Sequence, residues 1–306
     1  MPDLEQLFKP ASGTVTTTAA QVEDGFLPSS TTDDDAEVNR DIRIAKRRRL
    51  FSRANLHTTI NPQYADLVFL LCYFLSGLCD ASAYRAWGCF VGMQTGNTIF
   101  VGLGASAPAG ANSDYKWLKA LVSITSFLVG SRAFNSAAQM AGARKRITLM
   151  ASFSVQAILL IISALLLELS LISGKASPTG QDFVGRVSGS IKDSPFLQLI
   201  PLAMVALQSA GQMAASRALA FTEIPTTVLT SLYYDLASDP ALGAGWSENV
   251  KRNRRSAAVV AVVAGAVAGG WMGRAIGGIS VGLWITAGCK ILIVCAWFVW
   301  NDSDTV

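Results

Sequence analysis

The sequence predicts an all-α fold: a polytopic membrane helix bundle with two internal repeats, made of six full spans plus two short or broken helices. Three observations predict it. Of 306 residues, 51% are hydrophobic and only 15% charged, the mean hydropathy is +0.39, and the charges gather at the ends and in a few loops. That is the profile of a multi-pass membrane protein. Six apolar stretches reach the ~20 residues that a spanning helix needs. Finally, a polar cluster occurs twice inside lipid-grade sequence. It runs Gly77-Leu78-Cys79-Asp80-Ala81-Ser82-Ala83-Tyr84-Arg85 and then Gln94-Thr95-Gly96-Asn97-Thr98, and returns more faintly as Gly211-Gln212-Met213-Ala214-Ala215-Ser216-Arg217 and Pro225-Thr226-Thr227-Val228-Leu229-Thr230-Ser231.

Residues 1–60 are rich in Ser, Thr, Asp and Ala and lack the apolar core of a cleavable signal peptide, so a disordered tail is expected. It closes on a basic cluster, Arg40, Arg43, Lys46, Arg47, Arg48, Arg49 and Arg53, which favours the cytoplasmic side and contact with anionic headgroups. Arg49-Leu50-Phe51-Ser52 resembles a basophilic kinase site, although an unmodified topology signal is the plainer reading. A transmembrane domain over 61–300 follows. Its spans are expected at about 66–86, 117–141, 147–172, 196–220, 256–274 and 277–299. The short elements, about 90–106 and 224–238, begin at Gly/Thr and Pro/Thr punctuation. The first repeat covers about 66–172 and the second about 196–299, with a linker at 173–194 and a short tail at 301–306.

Charge bears on whether the short elements cross. The tail cluster, Arg144-Lys145-Arg146 and Lys251-Arg252-Asn253-Arg254-Arg255 all favour the cytoplasm. Six crossings, with both short elements re-entrant, put all three clusters and both termini on that side. Each repeat then crosses an odd number of times, so the repeats are inverted and their polar breaks enter from opposite faces. With eight crossings the repeats are parallel and the Arg144 cluster lies outside. The register of the repeat stays open: Thr95 aligns with Thr227 and Thr98 with Thr230, or Thr95-Gly96 with Thr230-Ser231.

Broken helices expose N–H groups with partial positive charge, and Thr or Asn there caps the helix or meets a ligand. Thr95, Gly96, Asn97 and Thr98 suit one such end, and Thr226, Thr227, Thr230 and Ser231 the other. With Gln94, Gln212, Arg85 and Arg217 they favour a polar or anionic solute. Hydroxyls bonded back to their own helices are the bland alternative. Asp80, deep in the first span, must be protonated or paired, and the candidate partners are Arg85, Arg217 and Lys290. A proton carrier and a static clasp are both open for it. Asp235, Glu223 and Arg132 are candidates to line the same cavity, whereas Glu168 and Arg274 suit snorkelling at span ends.

Glycines 265, 269, 273, 277, 278 and 282 form a packing ladder, and Gly88, Gly92 and Gly96 repeat the spacing on the first short element. Trp117, Trp271, Trp297 and Trp300 fit an interfacial belt. Cys72, Cys79, Cys89, Cys289 and Cys295 read as buried thiols. With one histidine, His57, no Cys-x-x-Cys pair, no nucleophile elbow and no Walker loop, no metal, cofactor or enzymatic activity is expected. Nor is nucleic acid a partner, since the basic clusters abut apolar spans.

At Gly77-Leu78-Cys79-Asp80-Ala81, Thr95-Gly96-Asn97-Thr98, Gly211-Gln212 and 227–237, the chain resembles the YoaK-type family of multi-pass membrane proteins, defined by a domain of unknown function. The resemblance spans roughly residues 65–300 and implies membrane location and a shared fold. The second-half motif is degenerate, with Gln212-Met213 and Thr230-Ser231 where the family tends to have Gln-Asn and a second Thr-Gly.

The leading functional expectation is a permease or secondary transporter of a small polar or anionic solute, in the plasma membrane with both termini cytoplasmic. Its partners are the bilayer and that solute, and a homo-oligomer is compatible with the sequence. The alternative is a non-transporting membrane scaffold or lipid-interacting protein whose polar motifs serve helix packing.

Overall fold

The computed structural model describes residues 53–108, 115–169, 171–172, 196–275 and 278–302; most of the tail and the 173–194 linker lie outside them. These residues form helices and no strand. A single turn, α1 (Arg53–Leu56), precedes α2 (Ala65–Trp87), α3 (Gln94–Ser106), α4 (Lys116–Ala141), α5 (Arg146–Glu168), α6 (Leu199–Ala218), α7 (Thr230–Ala237), α8 (Val250–Ala275) and α9 (Ile279–Val299). Five of these, α2, α5, α6, α8 and α9, are long and apolar enough to cross a membrane, which marks an integral membrane protein. The sixth expected span forms α4. It has the length, but Ser123, Thr125, Arg132, Asn135 and Gln139 are spread along it, so it holds no stretch as continuously apolar as the best stretch of each of the other five.

The breaks fall where the chain cannot continue a helix. α2 ends on Gly88, whose φ of 75° suits a residue without Cβ and whose N–H bonds the Tyr84 carbonyl. Beyond α6, Ala220 and Thr226 also take positive φ, and Pro225 lies between them.

Extensive pairings join α2 to α8, α6 to α4, and α5 to α9. The first two are close. Gly265 faces the Phe74 carbonyl and Gly77 the Val262 carbonyl, while Gly130 faces the Leu207 carbonyl, and none of the three has room for a Cβ. Gly88 and Gly92 precede α3 rather than lying on it, so their spacing with Gly96 is not a helix ladder.

At one end of the bundle, Ile60 N–H bonds Arg144 O at 3.0 Å, Arg146 N–H bonds Thr58 O at 3.0 Å and Asn61 N–H bonds Asn301 O at 3.1 Å. Buried Arg146 also reaches Asn55, the Trp300 carbonyl and Asp302. Arg144 bonds Ala218 O at 3.1 Å, and Arg254 pairs with Asp66 and Glu223. The start of α2, the α4–α5 and α6–α7 junctions, the start of α8 and the end of α9 therefore share this basic end. Tyr115 against Phe196, and Trp284 bonded to Glu168, mark the far end.

Two apolar clusters fill the interior. One holds Phe69, Phe153, Ile224, Leu232 and Trp297; the other holds Trp87, Val91, Leu160, Leu202 and Leu283. Trp297 is fully buried, a core residue rather than part of an interfacial belt. Along α2, α5, α6 and α9, the residues between the clusters are Ser76 and Asp80, Gln156, Gln208, Ser209 and Gln212, and Thr286 and Lys290, all buried. A polar layer thus crosses the middle of the bundle.

Candidate functional site

After Gly88 the chain folds back along α2. Asp80 Oδ1 accepts the N–H groups of Val91 at 2.7 Å and Gly92 at 2.8 Å. A carboxylate between two amides makes strong, charge-assisted bonds and fixes the turn. Asn97, fully buried, grips Phe90 from the other side, accepting its N–H at 2.9 Å and donating to its carbonyl at 2.7 Å. Gln94 accepts from Asn97 Nδ2 at 2.8 Å and donates to Val91 O at 2.9 Å. Ser123 of α4 donates to Phe90 O at 2.8 Å, and Gly96 lies against the Phe90 ring. The Gln-Thr-Gly-Asn-Thr motif is therefore a brace for the first tip, residues 90–92. Its two threonines face away: Thr95 and Thr98 are exposed, and Thr98 Oγ1 donates to Gln94 O at 3.0 Å.

The second break reaches in from the basic end. Ser216 of α6 donates toward Phe221 O at 3.2 Å and Ile224 O at 3.1 Å. The second tip, Thr226-Thr227, is buried, and Thr226 O accepts from Ser76 Oγ of α2 at 2.9 Å. Thr227 Oγ1 donates to Met213 Sδ at 3.4 Å.

The tips are close. On α2 they are held by Asp80 and Ser76, and on α6 by Ser209, whose Oγ is 3.0 Å from Val91 O, and by Met213. Each pair of holding residues is one helical turn apart, a rise of ~6 Å. Between them Gln212 Nε2 donates to Ser76 Oγ at 2.5 Å, while Gln212 Oε1 accepts from Lys290 Nζ at 2.7 Å. Lys290 also donates to Gln156 Oε1 at 2.8 Å, lies 3.9 Å from Cys72 Sγ and sits over the Phe153 ring at 5.0 Å. A cavity of about 10 Å³ lies among Ser76, Gly92, Gln208, Ser209, Gln212 and Thr286, the size at which one water begins to fit. Among the described residues, Asp80 Oδ2, Gln208 Oε1 and Thr226 Oγ1 are buried acceptors without a hydrogen-bond partner.

Asp80, Gln94, Asn97, Gln212, Thr226 and Thr227 thus converge on the two tips, and Gly96 supports the first. Arg85 is exposed beside Gly273, Arg217 is exposed near the end of α6, and Thr230 is exposed at the start of α7. Asp235 is 3.6 Å from Arg255 and Glu223 pairs with Arg254, both at the basic end; Arg132 is exposed. Near Asp235, Asn249 and the Ala241 N–H hold the Asp239 carboxyl below the usual carboxylate range. Asp80 pairs with backbone amides and not with Arg85, Arg217 or Lys290, because the break folds its own N–H groups onto the acid. Cys72, Cys79 and Cys89 are buried, but Cys295 is exposed.

Ser76, Gln156, Gln208, Ser209 and Thr286 escaped sequence reasoning, and Lys290 entered it only as a partner for Asp80. A signal existed. Gln156 and Gln208 are isolated amides within apolar spans, and an amide in hydrocarbon needs a partner as an acid does.

Residues 68–296 match a protein family described as of unknown function, DUF1275. The chain belongs to this family. No curated protein and no solved structure matches the chain. The DUF1275 region contains both tips and all of the polar layer, so the site belongs to the family domain and not to the tail.

Proposed function

We propose that this DUF1275 protein is a permease or secondary transporter of a small polar or anionic solute, acting without catalysis. One observation carries the reading: two tips, reaching in from opposite ends of the bundle, are held one helical turn apart beside a small buried cavity, which is lined by Val91 and Gly92 of the first tip, by Ser76, which bonds the second, and by Gln208, whose Oε1 has no partner. Irregular backbone at membrane depth is tolerated where it lines such a cavity, and transporters with inverted repeats put their sites there. The helix pairings support an inverted repeat over about 66–172 and 196–299. The first helix of each half packs on the third of the other, and the fourth helices pack together. Ser76 of the first half bonds the second tip, and Ser209 of the second half bonds the first. Contact along α6 supports α4 as a sixth span. The Arg144-Lys145-Arg146 and Lys251–Arg255 clusters, gathered at one end, support cytoplasmic termini. Lys290, the cation in the polar layer, favours an anionic solute over a cationic one. The cavity is closed in this state, so a solute enters only when the tips separate.

Uptake into proteoliposomes tests this. A panel of small carboxylates, inorganic phosphate, amides and sugars is offered to wild type and to the Gln212→Leu, Lys290→Gln and Thr95→Val variants. Uptake of at least one solute is expected in wild type and in Thr95→Val, whose side chain faces away from the cavity. A loss of about tenfold, worth ~1.4 kcal/mol, is expected in the other two. No uptake above protein-free liposomes for any solute would pass the reading to the scaffold alternative.

A further inference from the structure

Lys290 and Gln212 settle a direction for every hydrogen bond between them and the second tip. An ammonium only donates, so the amide oxygens of Gln156 and Gln212 must face it. The amide orientation of Gln212, usually an assignment, follows from chemistry here. Its Nε2 therefore points at Ser76, whose oxygen accepts at 2.5 Å, leaving the Ser76 O–H to donate to Thr226 O at 2.9 Å. The charge on Lys290 is thus read out, two side chains away, as a bond that holds the second tip.

The surroundings make that charge the variable part. From α2 the titratable groups facing Lys290 are the Cys72 and Cys79 thiols, and on α9 itself Cys289. α5 contributes Gln156 and the Phe153 ring, and α6 contributes Gln212. None of these is a carboxylate, and Asp80 spends its Oδ1 on the amides of the first tip. Among the described residues, neutral dipoles and a ring face hold the ammonium, in a layer between two apolar clusters where an unpaired charge is costly.

We propose that Lys290 is a proton-binding site, and that proton loss reverses the relay and releases the second tip. Lys290–NH₃⁺ gives its proton to a water that reaches Nζ when the polar layer opens, leaving a neutral amine with a lone pair and a hydronium ion. The amine, now with a lone pair beside its two N–H groups, no longer fixes the Gln212 amide, and the amide turns over: Nε2 donates to the amine lone pair and Oε1 accepts the Ser76 O–H. Thr226 O loses its partner and the tip is freed to move. Naming the proton as the coupling ion rests on the permease reading; the relay itself does not.

Hydrogen exchange read by mass spectrometry on the full chain in lipid nanodiscs tests the switch. Protection of the 221–229 segment, referred to the chemical exchange rate at each pH, is followed from about pH 6 to about pH 10. In wild type it is expected to fall about tenfold as pH rises, while protection in α5 stays constant. Lys290→Arg, which keeps its charge, is expected to stay protected throughout. Lys290→Gln, neutral but still a donor to Gln212, is expected to lose the pH response. Protection that ignores pH in wild type, or a pH response that survives in Lys290→Gln with α5 intact, overturns the proposal. Absent uptake with this response intact removes the permease reading alone, whereas a flat response with uptake intact removes the switch alone.

Discussion

Asp80 holds two buried amides with one carboxylate oxygen, so its value to the fold lies in what its removal orphans. Asp80→Ala leaves the Val91 and Gly92 N–H groups buried and unpaired, at about 1–3 kcal/mol each. Asp80→Asn keeps a carbonyl oxygen for them and loses only the charge assistance. Thermal unfolding in detergent should therefore rank wild type, then Asn, then Ala, with the larger step on going to Ala. Equal midpoints for all three would show that the turn does not depend on this carboxylate. That an acid at this depth needs a partner is legible from its apolar neighbours. Which partner it takes is not, because the choice depends on a reversal of chain direction at Gly88. The same limit applies to Gln94, Thr95, Asn97 and Thr98. They read as a polar helix start, but only the rotation of α3 about its axis turns Gln94 and Asn97 inward and the threonines out, and polar side chains at 94, 95, 97 and 98 surround the whole first turn, so their spacing does not reveal that rotation.

Helices are the most legible elements, since length and apolar content decide them. The observed α2 at Ala65–Trp87 and α9 at Ile279–Val299 lie close to the expected 66–86 and 277–299. The short elements start later than expected, at Gln94 and Thr230, because the residues before them form the tips. The glycine ladder on α8 is legible in the sequence as packing, but its partner is not: small residues announce a close approach without naming the helix that makes it. The partner is α2, and the approach is testable. A methyl group at Gly77 meets the Val262 carbonyl, and one at Gly265 meets the Phe74 carbonyl, both backbone atoms that cannot step aside. Gly77→Ala and Gly265→Ala are each expected to cost about 1–3 kcal/mol through overpacking. Gly270 lies on the same helix with nothing within 4 Å of the position its Cβ would occupy, so Gly270→Ala should be neutral or slightly stabilising through helix propensity. Denaturation midpoints of the three variants check this, and equal losses at all three positions would mean that the ladder is not the contact that matters.

Across the whole molecule, a duplicated polar break has a different meaning according to how its two copies are oriented. Parallel copies enter from one face and stay apart, whereas inverted copies enter from opposite faces and meet. Their meeting at Ser76 and Asp80 on α2, and at Met213 and Ser209 on α6, is the contact on which the proposed inverted arrangement, with its six crossings, rests. Inverted copies fix the sidedness of two loops. If α3 is re-entrant, Ser106 at its end returns to the far side of the membrane from which the break entered, while Gly243, beyond α7, returns to the basic side, which is cytoplasmic in the proposed topology. Single-cysteine variants in a background with the five native cysteines replaced, Ser106→Cys and Gly243→Cys, should then part company under a membrane-impermeant maleimide. With the protein in the plasma membrane, as proposed, Ser106→Cys should label on intact cells, and Gly243→Cys only after permeabilisation. If α3 and α7 both crossed completely, both positions would lie in the cytoplasm and neither would label on intact cells. That result would place the two tips on helices that span the bilayer, and an alternating opening of two half-deep hairpins would no longer be available as a mechanism.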